Sequence, residues 1–165
     1  MTSERRPGLF LSFEGMDGSG KTTQMRLLID RLRREGFDVL ETAEPGGTEI
    51  GRQIRRILLD RANQALSARA ELLLYFACRA QNVEEWIRPA LAAGRVVVSD
   101  RYTDSTLAYQ GAGRGLPEEM IRELHTFACG PTEPDATIYL DIDRETGLAR
   151  ARARNAALEI GRAHV

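Results

Sequence analysis

The sequence predicts an α/β protein in which a parallel sheet carries helices on both faces. Three observations support this class. Short apolar runs alternate with segments of helical spacing along the whole chain. A glycine-rich segment joins the first apolar run, Leu9–Phe13, to a helical segment. Three consecutive valines, Val96 to Val98, are typical of a strand that is buried on both faces of a parallel sheet.

The glycine-rich segment 15–22, GMDGSGKT, matches the phosphate-binding loop pattern GxxxxGK[ST] at every fixed position. Its strand, loop, helix context is the one that this pattern requires, so a P-loop NTPase fold is predicted. Glycines let successive backbone N–H groups surround phosphate oxygens, and the helix N-terminus adds positive dipole. Lys21 would place its charge on the β- and γ-phosphates, and the Thr22 hydroxyl would be a magnesium ligand. The alternative is a strand-to-helix turn that matches by chance.

The other elements follow from spacing and from residues that begin or end helices. Thr48 and Ser67 are predicted N-caps, since their hydroxyls can accept from free N–H groups of the first turn. Pro89 predicts a kink or break in the long helical stretch from Ser67 to Ala93, and Pro45 could be cis. The remaining predicted elements are a helix from Thr22 that stops at Gly36, strands at 38–42, 95–99 and 136–141, helices at 104–110, 117–128 and 146–154, and a glycine-rich loop at 111–115.

Asp100 is the second informative residue, because it follows directly after the valine strand. P-loop proteins place a magnesium-linked aspartate at the carboxyl end of an apolar strand, beside the phosphate loop of a neighbouring strand. The alternative is that Asp100 only caps the following helix.

Composition limits the class of partner. The 165 residues predict one domain over residues 1–165, and a net charge of -1 gives no overall attraction to nucleic acid or to an anionic membrane. Cys78 and Cys129 lie outside any metal-ligand spacing and are expected to be buried thiols. No apolar run approaches the length of a membrane span, so a soluble cytoplasmic protein is expected.

What the sequence lacks narrows the choice among P-loop proteins. No [NT]KxD string is present to read guanine, which argues against a GTPase, and the spacing from Lys21 to Asp100 is too short for a motor ATPase. Two helices and several arginines lie in that interval, which is enough for a second, phosphate-bearing substrate. A small kinase is therefore predicted.

Four segments then occur in a characteristic order: 13–23 FEGMDGSGKTT, 44–48 EPGGT, 100–102 DRY and 108–111 AYQG. Together they closely resemble the bacterial thymidylate kinase family, over residues 9–154. The resemblance implies a nucleoside monophosphate kinase-like P-loop fold and transfer of the γ-phosphoryl group of ATP to dTMP, with Mg²⁺. It also implies a homodimer.

The resemblance assigns roles to individual positions. It implies that ATP phosphates are bound by Gly15, Met16, Asp17, Gly18, Ser19, Gly20, Lys21, Thr22 and Thr23. It implies that dTMP is bound by Asp17, Glu44, Arg55, Tyr75, Phe76, Arg79, Arg101, Ser105, Thr106, Tyr109 and Gln110. It implies that the catalytic residues are Lys21, Asp100, Arg101, Arg150 and Arg154, and that the metal ligands are Thr22 and Asp100.

Within the dTMP set the implied roles differ. Asp17 is expected to hold the sugar 3′-hydroxyl and Arg79 to read a thymine carbonyl. Either Tyr75 or Phe76 is expected to stack on the base, and both remain candidates. Arg101 is expected to bridge the donor and acceptor phosphates.

The chain departs from the family pattern in three places. Ala43 stands where arginine is common, so one cation near the site is either absent or replaced by a neighbour such as Arg52. Gly18 stands where one type of thymidylate kinase keeps a catalytic arginine, which makes Arg150, Arg152 and Arg154 of the lid the candidates, unless they form a solvated basic face. The family continues for some tens of residues, so we expect a C-terminally truncated chain with a non-native tail at 159–165.

Two other functions stay open at this point. One is a different nucleoside or nucleotide kinase of similar build. The other is a nucleotide-binding fragment without turnover, because the remainder of the lid is absent from the sequence.

Overall fold

The computed structural model describes residues 8–162, without the side chains of Arg61 and of residues 154–162. Its centre is a four-stranded sheet in the order β2-β3-β1-β4, and all three pairings are parallel. The strands are β1 (Leu9–Glu14), β2 (Val39–Ala43), β3 (Val96–Asp100) and β4 (Ala136–Tyr139). The parallel α/β class is confirmed.

Seven α-helices surround the sheet in the described part of the chain, and two of them continue into π-helical turns at Val83–Ile87 and Leu107–Gly113. A short 3₁₀ turn covers Arg61–Asn63. The helices are α1 (Lys21–Arg34), α2 (Glu49–Leu59), α3 (Ala68–Asn82), α4 (Arg88–Ala92), α5 (Thr103–Thr106), α6 (Glu118–Cys129) and α7 (Arg144–Arg162).

The predicted helix boundaries are confirmed where a single residue sets them. The Thr48 hydroxyl accepts from the Gly51 N–H at 3.0 Å, and the Ser67 hydroxyl accepts from the Ala70 N–H at 3.3 Å. Gly36, with φ 87°, follows the end of α1 in the left-handed conformation that glycine adopts without strain.

The predicted break before Pro89 is confirmed, and the predicted loop at 111–115 is partly wrong. The long helix from Ser67 is interrupted just before Pro89, by the π-helical turn Val83–Ile87, and Pro89 lies in the first turn of α4. The prediction of a loop from Gly111 is wrong as far as Gly113, which is still π-helical. Gly111 is buried, and a β-carbon there would lie 3.3 Å from the Ile121 side chain, so this part of the π-helical turn packs closely on α6.

Two apolar clusters lie on opposite faces of the sheet. On one face Phe10 and Val97 pack with Val83 and Ile87. On the other face Phe13 packs with the side chains of α1, including Met25 and Ile29, and with Val96 and Val98. Successive strand residues point to opposite faces, so both faces are apolar and both carry helices, as predicted.

The two cysteines are both buried and unpaired, as the sequence predicts. Burial raises the pKa of the Cys129 thiol to about 11. Among residues 8–162, no helix combines the length and the apolar character that crossing a membrane requires.

The carboxyl ends of three neighbouring strands meet at one edge of the sheet. The phosphate loop follows β1, the cis Glu44–Pro45 turn follows β2, and Arg101 follows β3. Phe13 and Ala43 both pair with Asp100 in register, which aligns the three ends. Segments that are distant in sequence are thereby brought to one place.

Candidate active site

The phosphate loop adopts the backbone conformation that its glycines allow. Gly15, Gly18 and Gly20 have φ values of 135°, 84° and 94°, which residues with a side chain rarely adopt. Lys21, the first residue of α1, is only 7% exposed and donates from Nζ to the carbonyls of Gly15 at 2.9 Å and Met16 at 3.2 Å. The amine therefore lies against the loop that it follows.

Burial lowers the pKa of the Lys21 amine, and the nearby Arg101 lowers it further. The carboxylates of Asp100 and Asp17 act in the opposite direction, and the Asp17 carboxylate lies 4.0 Å from Nζ. The environment around Lys21 thus favours a bound anion, which would stabilise the charged amine.

A cavity of about 520 Å³ opens over the loop and contains Lys21, Thr22 and Asp100 in its wall. The Oδ1 atom of Asp100 is buried and has no hydrogen-bond partner among the described residues. Carboxylate and hydroxyl oxygens are the hard ligands that Mg²⁺ prefers, and Mg²⁺ is usually held by one or two protein oxygens together with phosphates. The described residues contain no cluster of three or more acidic, His or Cys ligands, and the residues present fit such a shared site.

Arg101 is the only described non-glycine residue with positive φ, at 73°. Its backbone N–H donates to the Phe13 carbonyl at 2.9 Å. Its guanidinium donates to Ser105 Oγ at 2.9 Å and to Asp17 Oδ1 at 2.8 Å, and its Cζ lies 5.3 Å from the Tyr109 ring centre. The guanidinium is therefore held in the space between the phosphate loop and α5.

Glu14, the last residue of β1, is a buried carboxylate that the sequence analysis did not single out. One of its oxygens accepts from the Tyr102 backbone N–H at 2.7 Å, and the other accepts from the Ser105 hydroxyl at 2.5 Å. Burial raises its pKa, and the hydrogen bond from Ser105 partly opposes that effect. The only sequence signal was a charged residue at the end of an apolar strand.

A second cavity, of about 370 Å³, adjoins the first. It brings together every residue that the resemblance assigned to dTMP except Phe76. Its wall consists of Asp17, Glu44, Pro45, Arg55, Leu59, Tyr75, Arg79, Arg101, Tyr102, Ser105, Thr106, Tyr109 and Gln110.

Arg79 is the most deeply buried charge in this wall, with 2% of its surface exposed. Its Nε donates to the Glu44 carboxylate. Its Nη2 donates to the Tyr102 carbonyl at 3.1 Å and to the Thr106 hydroxyl at 2.8 Å. Its Nη1 is buried and has no hydrogen-bond partner among the described residues, although Arg79 lines the cavity.

The two candidate aromatic residues lie in different environments. Tyr75 is half-buried and lines the cavity. Phe76 is 4% exposed, packs with Leu72 and Ile121 in the core, and lies 5.2 Å from the Arg79 guanidinium. The cavity thus presents Tyr75 to a ligand and leaves Phe76 behind the wall.

A buried polar network supports Glu44 from behind. Thr42 Oγ1 donates to Asn82 Oδ1 at 2.9 Å, and Asn82 Nδ2 donates to Glu44 Oε1 at 3.3 Å. A β-carbon at Gly47 would lie 2.6 Å from Asn82 Oδ1, so the turn after β2 packs directly on this network. Sequence reasoning missed Asn82 and Thr42, because neither belongs to a recognisable motif.

Two arginines of α2 lie close to the same turn. Arg55 donates to the Pro45 carbonyl and lines both cavities. Arg52 donates to the Gly47 carbonyl at 2.6 Å and lines the cavity that contains Lys21 and Ala43. Arg52 therefore lies in the wall of the same cavity as Ala43.

Helix α7 packs directly on the phosphate loop. A β-carbon at Gly18 would lie 2.3 Å from the Gly147 carbonyl oxygen and 3.2 Å from the Ala151 nitrogen. The side chains of Arg150 and Arg152 are exposed on this helix. The side chain of Arg154 lies outside the described residues.

The comparisons with known proteins agree with one another. Residues 13–162 match the family model described as thymidylate kinase. The chain is 55% identical over 147 residues to a thymidylate kinase from Synechococcus sp., covering 89% of the chain and 70% of that protein. It is 55% identical over 149 residues to one from Thermomicrobium roseum, covering 90% of the chain and 70% of that protein. The crystal structure of a thymidylate kinase from Ehrlichia chaffeensis superposes with a TM-score of 0.79 at 35% identity, covering 96% and 90% of the two chains.

Proposed function

Because the chain belongs to the thymidylate kinase family, we propose that it phosphorylates dTMP to dTDP with ATP as the phosphoryl donor. The observation that carries this proposal is the buried Arg79, whose Nη1 lacks a partner among the described residues, in the wall of a cavity of about 370 Å³. Buried donors are normally hydrogen-bonded, and a base carbonyl would supply the missing acceptor.

The base would be held by side chains from α3 and α5. Arg79 would donate to a thymine carbonyl while Glu44 and Thr106 fix its orientation. Tyr75 would stack on the base, because it lines the cavity and Phe76 does not. Aromatic stacking restricts the plane of a flat ligand, and a directed hydrogen bond from Arg79 restricts its rotation within that plane.

The sugar and the acceptor phosphate would lie toward the phosphate loop. Asp17, at the mouth of the loop, would accept from the 3′-hydroxyl. Arg55 and Arg101 line both cavities and would bind the phosphate of dTMP between them. Tyr109 and Gln110 would close the cavity from the side of the π-helical turn after α5.

In the reaction an oxygen of the dTMP phosphate forms a bond to the γ-phosphorus of ATP, and the bond from that phosphorus to the β-phosphate oxygen breaks. ADP leaves with the electron pair. Lys21 and Arg101 would stabilise the charge on the moving phosphoryl group, and the N–H groups of residues 15–23 would hold the donor phosphates. Thr22 and Asp100 would hold Mg²⁺, which neutralises phosphate charge when bound.

Helix α7 would contribute further positive charge. Its exposed Arg150 follows the contact of Gly147 with the phosphate loop, and Arg154 lies one turn further along. We propose both as lid cations that approach the transferring phosphoryl group once both substrates are bound.

The test of the proposed function compares ligands at one residue. Arg79→Lys keeps the charge beside Glu44 but removes the donor geometry, so dTMP should bind at least about tenfold more weakly while ATP affinity stays within about twofold. Arg33→Ala, an exposed arginine of α1, is the matched control. Both ligands would be titrated by calorimetry, and turnover would be measured across a panel of monophosphates. Equal weakening of dTMP and ATP would refute the role of Arg79, and preferred turnover of another monophosphate would refute the substrate.

We also propose that the chain forms a homodimer through an apolar surface of α3 and α6. Phe127 is 90% exposed, Leu73 is 56% exposed, and Met120 lies beside them. Arg69 and Glu123 border this surface, so a two-fold partner could place opposite charges against each other. Phe127→Lys should lower the sedimentation coefficient to that of a monomer. Leu27→Lys, at an exposed position of α1, should leave it unchanged. A monomeric parent would refute the dimer.

A further inference from the structure

Glu14 is a buried ionisable group beside the phosphate loop, and the proposed reaction gives it no role. It is 3% exposed and immediately precedes Gly15 of the phosphate loop. Its two carboxylate oxygens each accept one hydrogen bond, from the Tyr102 backbone N–H and from the Ser105 hydroxyl. Both partners lie in the segment that follows β3, so Glu14 joins the end of β1 to residues 88 and 91 positions further along the chain.

These two hydrogen bonds both restrain Arg101. Ser105 Oγ, while it donates to Glu14, accepts from Arg101 Nη1 at 2.9 Å. Tyr102 directly follows Arg101, whose φ of 73° is rarely adopted by a residue with a side chain. The carboxylate therefore restrains Arg101 at its guanidinium and at its backbone.

The structure requires a group with two acceptors at this position. Tyr102 and Ser105 each present a donor to Glu14, and the Ser105 hydroxyl at the same time accepts a hydrogen bond from Arg101. A glutamine offers one acceptor oxygen and an NH2 group that can only donate, so one of the two contacts is lost or Ser105 reorients. Loss of a single partner in a buried network leaves a polar group unsatisfied.

We propose that Glu14 is a positioning residue that holds Arg101 in the orientation for phosphate binding, through Ser105 and through the Tyr102 backbone. This inference rests on the proposed function, in which Arg101 binds the dTMP phosphate. Glu14 is not part of the wall of either cavity that would hold a substrate, so in this proposal it acts only through the arginine.

The first experiment compares dTMP, which carries a phosphate, with thymidine, which does not. In the full chain, Glu14→Gln should weaken dTMP about tenfold by calorimetry and leave thymidine, which has no phosphate, within about twofold. In an Arg101→Ala background the same substitution should change dTMP affinity by less than about twofold, because the residue through which it acts is gone. Equal weakening of dTMP and thymidine, or a full additional loss in the Arg101→Ala background, would overturn the proposal.

The second experiment needs no ligand, so it decides the inference even if dTMP does not bind and the proposed function fails. The Nε–H signal of Arg101 would be assigned by NMR from its disappearance in Arg101→Lys. Glu14→Gln and Ser105→Ala should both move this signal toward that of a solvent-exposed arginine. Ser105→Ala removes the hydroxyl that connects Glu14 to Arg101 and leaves the buried charge of Glu14 unchanged. Glu35→Gln, which removes the exposed partner of Arg31, is the control and should leave the Arg101 signal in place. A parental Arg101 signal in either folded variant would overturn the proposal.

Discussion

Lys21 is the only lysine in the sequence, and its environment explains why a lysine stands there. Nζ is held by the Gly15 and Met16 carbonyls, so the amine already lies at the loop before a phosphate arrives. The stem is buried at the start of α1 and contributes little apolar core. Its replacement should therefore affect chemistry more than folding.

Lys21→Ala should lower kcat by about 10² or more, because a charge that stabilises the transferring phosphoryl group is removed. The variant should keep the parent's circular dichroism spectrum and most of its free energy of unfolding. A coupled assay of ADP release measures the loss. Turnover close to the parent's would remove Lys21 from the proposed mechanism.

The Lys21 amine should also react at lower pH than an ordinary lysine. Burial lowers its pKa, so the neutral, nucleophilic amine becomes populated at a lower pH than in a free lysine side chain. Amine-selective acylation, followed at Lys21 by peptide mass spectrometry, should reach half its maximal rate below the pH found for a lysine peptide. ATP should suppress the labelling, since a bound phosphate favours the protonated amine. Labelling with a peptide-like pH profile, unaffected by ATP, would contradict the proposed role.

At the scale of elements, the contact between α7 and the phosphate loop depends on two glycines. Gly147 allows the helix backbone to reach the loop, and Gly18 leaves room for the Gly147 carbonyl. An arginine at position 18 has no space in this arrangement. This steric relation supports the proposal that arginines of α7, and not a residue of the loop, supply positive charge.

Gly18→Ala should cost more stability than Gly36→Ala, although both glycines have positive φ near 85°. The Gly36 site is open, so alanine there should cost about 1 kcal/mol of strain alone. At Gly18 the added β-carbon would meet backbone at 2.3 Å, and overpacking adds about 1–3 kcal/mol. Urea unfolding of both variants measures the difference, and ATP affinity should fall only in Gly18→Ala. Equal costs would show that α7 does not press on the loop.

At the scale of the whole molecule, the site depends on helices that pack against the residues following the strands. His125 of α6 is 5% exposed and packs edge-on against Tyr102, with ring centres 5.7 Å apart. Its Nδ1 lies 2.9 Å from the Thr103 hydroxyl, and its Nε2 lies 2.7 Å from the Glu133 carboxylate without the alignment of a hydrogen bond. Protonation of this imidazole should therefore lower the free energy of unfolding.

The free energy of unfolding should fall as the pH is lowered through the ordinary titration range of histidine. Burial lowers the pKa of His125 in the folded chain and the Glu133 carboxylate only partly opposes this, so the unfolded chain takes up the proton first. Each unit of pKa difference corresponds to about 1.4 kcal/mol. Urea unfolding at pH 7.5 and pH 5.5 should show a smaller decline for His125→Asn than for the parent. An equal decline in both would mean that other groups cause the pH dependence.

The sequence by itself determined the features that depend on local geometry. The phosphate loop, the N-caps Thr48 and Ser67, and the valine strand just before Asp100 were all predicted, because each depends on hydrogen bonds or on residue types within a few positions. The parallel class followed from the order of these elements. The assignment of dTMP-contacting positions came from resemblance to a family, and it stays a proposal for this chain.

Only the tertiary structure decided which side chains meet across the sheet edge. Glu14 bonds to Tyr102 and Ser105, and Glu44 pairs with Arg79 and is supported by Asn82, over separations of 35 to 91 residues. No periodicity or spacing encodes such contacts, since they depend on strand order and on how deeply each helix packs. The same reason separates Tyr75 from Phe76: the two are adjacent in sequence, and only the packing of α3 against α6 decides which ring faces the cavity and which faces the core.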